Sequence, residues 1–205
     1  MRTLVAIPCM DMMHTSFVIS LTGMRMKGET KFVYSVSSLV YDSRNGLARR
    51  AIAEKFDRVL WLDSDMEFRP DLFQRLSDDL DEGRDMVAAF YVTRKDEIKP
   101  CLFKTCGYEH HEDHVKPVAK TYYDYPKDSI FECEGVGFGG VMMNVSLLKE
   151  VEEKFGLPFA PMLGFGEDLS FCLRVRELGK KIWCDSRIKM GHVGLKSYTE
   201  DDING

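Results

Sequence analysis

Arg58-Val59-Leu60-Trp61-Leu62-Asp63-Ser64-Asp65-Met66 is the stretch that decides the fold. A short apolar run enters two carboxylates one residue apart. Such a run reads as a strand buried on both faces, the kind found in a parallel sheet. Ligands of open α/β sheets bind at the carboxyl ends of the strands, so the run delivers Asp63 and Asp65 to where a ligand would sit. In extended chain, residues i and i+2 point the same way. Two carboxylates on one side suit a hard divalent cation that also holds phosphate oxygens. The plainer alternative is a strand exit in which one of them caps a helix starting near Pro70.

Outward from this strand, elements alternate. Residues 3–7 read as a first buried strand, ended by Pro8, with Cys9-Met10-Asp11-Met12 as a loop at its carboxyl end. Residues 14–27 read as a helix with Phe17, Leu21 and Met24 on one face. A strand over 31–36 follows, then a helix over 44–56 capped by Asp42 or Ser43. Beyond the central strand come a helix over 70–80 and a strand over 85–92. This alternation predicts an α/β, Rossmann-like fold: a mostly parallel central sheet with helices on both faces. After Thr93 the pattern changes. Residues 93–127 are polar, carry Pro100, Pro117 and Pro126, and read as an inserted loop or β-hairpin region.

The second half holds a glycine-dense segment, residues 135–140, beside an apolar run. It predicts tight turns, or close approach of backbone to a ligand. Gly166-Glu167-Asp168 opens a helix whose stripe is Phe171, Cys172, Val175 and Leu178. A short strand over 181–184 follows, and then Gly191-His192-Val193-Gly194.

Composition narrows the function. The 205 residues are 44% hydrophobic and 30% charged, which fits a globular protein with a real core. Net charge is -5 with no basic block, which argues against nucleic acid as the main partner. No apolar window reaches the length of a transmembrane span, and the amino terminus does not read as a signal peptide. Six cysteines, mostly in apolar contexts, predict a reduced, cytoplasmic setting.

Three separated pieces now stand in order: Leu60-Trp61-Leu62-Asp63-Ser64-Asp65, Gly166-Glu167-Asp168-Leu169-Ser170-Phe171-Cys172, and Gly191-His192-Val193-Gly194. Together they resemble nucleotide-sugar-dependent glycosyltransferases of the GT-A fold, most like the large inverting family-2-like enzymes with a Glu-Asp motif. The resemblance spans most of the chain, including Pro8 and the Ser43-Arg44-Asn45 helix start, but has no counterpart for 93–127.

It implies a single domain over 1–205, with a nucleotide-sugar-binding half (1–92), an insertion (93–133) and an acceptor or catalytic half (134–205). It implies that Asp65 and His192 ligate Mn²⁺ or Mg²⁺, with Asp63 on the metal, its water or the ribose, and Ser64 between them in the donor site. Pro8, Asp11 and Arg44 would line the base and ribose pocket. Lys196 and Tyr198 would close over the diphosphate of a UDP- or GDP-linked sugar. Asp168 would be the base that deprotonates an acceptor hydroxyl, with Glu167 on the acceptor. One difficulty is physical: a helix amino terminus favours an ionised carboxylate and weakens Asp168 as a base unless burial offsets it.

Other readings stand beside this one. Glu167 and Asp168 are also what helix capping selects, and a single histidine is usually a core or loop residue. Cys101, Cys106, His110, His111, His114 and Cys133 offer the donor types of a structural zinc site, with Cys101, Cys106, His110 and His114 as its most regular set. A nucleotidyltransferase also uses strand-end carboxylates, but Pro8-Cys9-Met10-Asp11 lacks the glycine-rich basic loop it needs. A non-catalytic nucleotide-sugar- or zinc-binding module would keep the fold and lose either base or ligands.

Overall fold

The computed structural model describes residues 1–10, 12–94, 97–194 and 197–204. The first half lays down β1 (Arg2–Cys9), α1 (Thr15–Gly23), β2 (Glu29–Val36), α2 (Val40–Ala53), β3 (Arg58–Leu62), β4 (Met66–Glu67), α3 (Leu72–Asp81) and β5 (Met86–Phe90). A hairpin follows, β6 (Leu102–His110) and β7 (Val115–Thr121), then β8 (Ile130–Cys133), β9 (Gly135–Val136) and β10 (Gly140–Asn144). The remainder is α4 (Val145–Phe155), α5 (Glu167–Glu177), β11 (Ile182–Lys189), β12 (Gly191–Val193), β13 (Ser197–Tyr198) and a 3₁₀ turn, Glu200–Asn204.

Seven strands form the central sheet in the order β2-β1-β3-β10-β5-β11-β8. Alternation of side chains sorts its two faces. Leu4, Ala6, Val59, Trp61, Met143 and Cys184 pack with α2, α4 and α5. Val5, Ile7, Leu60, Leu62, Val87 and Met142 pack with α1 and α3. Helices on both faces thus follow from apolar runs with no polar face to spare.

The sheet corrects one expectation: it is mixed, not mostly parallel. β1 pairs in parallel with β2 and β3, and β11 with β5. β10 runs antiparallel between β3 and β5, and β8 antiparallel to β11. A strand buried on both faces reads as the same apolar run whichever way it points, so direction was not legible in Gly140-Val141-Met142-Met143.

The insertion is ordered by packing. Its hairpin pairs through β6 with β9. Cys106 joins Phe165, Leu169 and Leu173 in a small cluster that fastens the hairpin to α5 and the loop before it. Tyr108 Oη donates to the Leu163 carbonyl at 3.0 Å. The zinc set is therefore dispersed. Cys106 is buried in this cluster, while His110, His111 and His114 lie on the exposed hairpin tip. All six cysteines are free thiols.

The glycine-dense segment also has a packing reason. A Cβ on Gly137 would strike the Tyr91 hydroxyl, and one on Gly140 the Met190 sulfur. The close approach is to side chains of the core.

Candidate active site

A cleft of about 630 Å³ opens at the carboxyl ends of β1 and β3. Pro8, Asp63, Ser64, Asp65 and His192 line it. The chain holds these residues by backbone bonds. β4 pairs with β12, which sets His192 beside the Asp63-Ser64-Asp65 turn. Val193 N donates to the Asp65 carbonyl at 2.7 Å, and His14 N to the Ser64 carbonyl at 3.2 Å.

Asp65 and His192 meet. His192 Nε2 stands 3.5 Å from Asp65 Oδ2. His192 Nδ1 lies 3.0 Å from the Val92 carbonyl, which only accepts, so Nδ1 carries the proton and Nε2 is turned to Asp65. The Tyr91 ring packs edge-on against the imidazole, with centroids 5.6 Å apart. Arg94 Nη1 also reaches Asp65 Oδ2, at 2.9 Å. Burial pulls the Asp65 carboxyl upward, but His192 and Arg94 outweigh it and hold the group below the ordinary carboxylate range.

Asp63 lines the same cleft but is engaged from beneath. Arg44, 2% exposed, donates from Nη2 to Asp63 Oδ1 at 2.8 Å and from Nε to Glu167 Oε1 at 3.2 Å. Its guanidinium also lies 5.2 Å from the centre of the Phe138 ring. Arg44 therefore does not line the cleft as expected. It lies beneath, joining the end of β3 to the start of α5. It reaches this place because α2 starts at Val40, earlier than the expected caps Asp42 and Ser43, and buries Ser43, Arg44 and Asn45 on its inner side. Asn45 Oδ1 accepts Phe159 N at 2.9 Å and anchors the loop ahead of α5.

Burial pushes Asp63 up from the usual value, and Asp65 adds to this while Arg44 opposes it. Asp168, one residue past Glu167, is pushed up to about 6, first by burial and then by the Glu167 charge. Leu169 N, which donates to its Oδ1 at 2.7 Å, and Arg44 pull the other way. Burial thus offsets the helix terminus that would have made Asp168 a weak base.

Asp11 and Lys196 lie outside the described residues, and so does the side chain of Tyr198. Among the described residues, no group of three or more His, Cys, Asp or Glu side chains is gathered to hold a metal. For the zinc set this follows from its dispersal. For Asp63, Asp65 and His192 it follows from Arg44, which engages Asp63 and leaves two protein donors together. Arg94 was missed in the sequence. Its position just past an apolar strand was the available signal, obscured by the polar run that follows.

No protein-family model matches the sequence, and no curated protein matches it. Solved structures do. A197 from STIV superposes with a TM-score of 0.66 at 19% identity, over 95% of this chain and 86% of that one. GalNAc-T7, solved with UDP, GalNAc and Mn²⁺, gives a TM-score of 0.62 at 12% identity. The fold is GT-A-like. This chain is covered over 94% of its length in the GalNAc-T7 match but spans only 44% of that protein. At these identities the likeness is one of fold. Among the described residues, no helix is long and apolar enough to cross a membrane.

Proposed function

We propose that this chain is a glycosyltransferase that moves a sugar from a nucleoside-diphosphate-sugar to an acceptor hydroxyl, with inversion and with Asp168 as base. One observation carries the reading: Arg44 ties the strand-end carboxylate Asp63 to Glu167, so the acidic turn and the helix start that carries Asp168 share one buried cation.

Each residue then has a task. Asp65 and His192 would hold a divalent ion such as Mn²⁺ or Mg²⁺, the kind that sites with few protein ligands bind together with nucleotide phosphates. A bound ion of this kind supplies Lewis-acid stabilisation of the charge on the departing diphosphate. Pro8 and the cleft wall beside it hold the nucleoside. Asp63, fixed by Arg44, faces the donor. Asp168, with its carboxyl near 6, is mostly ionised at pH 7 yet basic enough to take the acceptor proton, a step worth about 10²–10⁴-fold. Glu167 raises that basicity through its charge. The β6–β7 hairpin, packed on the loop ahead of α5, bounds the acceptor side.

The test is turnover. UDP- and GDP-sugars are incubated with the protein and Mn²⁺, and release of nucleoside diphosphate is followed by chromatography. Release by the wild-type chain, lost in Asp65→Ala and reduced by 10²-fold or more in Asp168→Asn, supports the proposal. Equal release by wild type and Asp168→Asn contradicts the role of the base, and no release from any donor contradicts the function.

A further inference from the structure

We infer that Arg94 is a diphosphate-binding residue of this cleft, and that it and the divalent ion take Asp65 in turn, each displacing the other. The inference rests on the donor-site reading above and names a residue that reading does not use.

Among the described residues lining the cleft, Arg94 is the only lysine or arginine. A diphosphate needs cationic donors, and a guanidinium offers a planar fork that matches phosphate oxygens. Arg94 is reachable from the cleft: its side chain is 41% exposed, and its Nη1 donates to two acceptors, Asp65 Oδ2 at 2.9 Å and the Val193 carbonyl at 2.7 Å. His192 Nε2 faces the same Oδ2. The donor pair for a divalent ion is therefore already engaged by a fixed positive charge. An ion coordinated by a carboxylate oxygen stands about 2.0–2.2 Å from it, inside the guanidinium's own distance and with the same sign of charge. Both cannot hold Oδ2 at full strength. The ion's arrival releases Arg94 into the cleft, where a diphosphate is the acceptor that replaces Asp65. A diphosphate, by drawing Arg94 away, opens Oδ2 to the ion. Ion and diphosphate must then bind with positive coupling, and the coupling is reciprocal.

The test separates the two halves. Mn²⁺ alone is titrated into wild type, Arg94→Met and Arg94→Lys, with the free-ion electron paramagnetic resonance signal as readout. Removing a partly exposed ion pair should tighten Mn²⁺ binding about two- to fivefold in Arg94→Met. UDP and GDP are then titrated calorimetrically at fixed, saturating Mn²⁺. Whichever nucleotide the wild type binds should bind about tenfold more weakly to Arg94→Met, with Arg94→Lys between. Melting temperatures near wild type in both variants confirm that the fold is kept. Unchanged or weaker Mn²⁺ binding in Arg94→Met overturns the competition. Equal nucleotide affinity in wild type and Arg94→Met overturns the diphosphate role while leaving the donor reading intact. A wild type that binds Mn²⁺ but neither nucleotide overturns both the diphosphate role and the donor reading.

Discussion

Replacing Arg44 by methionine tests the connection between the two halves of the site. The Arg44 side chain is 3% exposed, and those of its partners Asp63 and Glu167 are 29% and 15% exposed. Methionine keeps much of the volume but leaves two carboxylates facing each other and Asp168 with no cation. Breaking a buried pair on one side costs about 3–5 kcal/mol. The cleft wets Asp63, which places the cost near the lower end, about 3 kcal/mol. For a chain of this length that is a fall in Tm of about 6–12 °C. The cost must also depend on pH. Asp63 already sits above its ordinary value through burial and Asp65, with Arg44 opposing. Without Arg44 it rises further. A carboxyl whose folded pKa exceeds its unfolded value, about 3.9, favours the fold below that value and loses this stability as pH rises through the folded pKa. The deficit of Arg44→Met is therefore small at pH 4.5 and full at pH 8. Urea unfolding of both proteins at the two pH values measures it. A deficit that is the same at both, or below about 1 kcal/mol at pH 8, refutes the account of Arg44.

Further outcomes follow from single groups. The acid limb of kcat/KM should fall with an apparent pKa of about 6. Glu167→Gln should move that limb to lower pH, because Glu167's charge is what raises Asp168 after burial itself; an unmoved limb would assign it to another group. On the far side of the sheet, Asp79 is pushed up to about 7 by burial and by Asp185. Its folded value lies above the unfolded one, so this stability is present below about pH 4 and lost as pH rises towards 7. Asp79→Asn cannot ionise and should gain on wild type between pH 5 and pH 8 in urea unfolding; a constant difference would contradict the assignment. Gly137→Ala should cost about 1–3 kcal/mol and weaken Mn²⁺ binding, since the new methyl displaces Tyr91 from His192. Wild-type Mn²⁺ affinity in that variant would show that Tyr91 does not position the imidazole.

The sequence made the α/β alternation legible because buried strands and amphipathic helices leave periods that survive without coordinates. The strand into Asp63 and Asp65 and the Glu167-Asp168 helix start could be read in this way. The approach of His192 to Asp65 was implied only by the family resemblance. Contacts between distant segments could not. Nothing in Ser43-Arg44-Asn45 says that α2 begins four residues before Arg44 and turns it inward to Asp63 and Glu167. Nothing in residues 135–144 distinguishes glycines that admit Tyr91 and Met190 from glycines that admit a ligand, or reveals that β10 runs against its neighbours. The insertion's cysteines and histidines offered the donor types for zinc, and only the register of β6 with β7 showed Cys106 buried while the histidines sit on the tip.

The central claim is that Asp65 and His192 hold a metal shared with a nucleotide-sugar's diphosphate. Thermal unfolding with UDP- and GDP-sugars, each with and without Mn²⁺, tests it most directly. A ligand at about 100 times its Kd stabilises the fold by about 2.7 kcal/mol, a rise in Tm of roughly 5–11 °C for this chain. The account predicts such a rise for one nucleotide-sugar, only with Mn²⁺, and none in Asp65→Ala. An unchanged Tm across the whole panel, or a rise that Asp65→Ala retains, would contradict it.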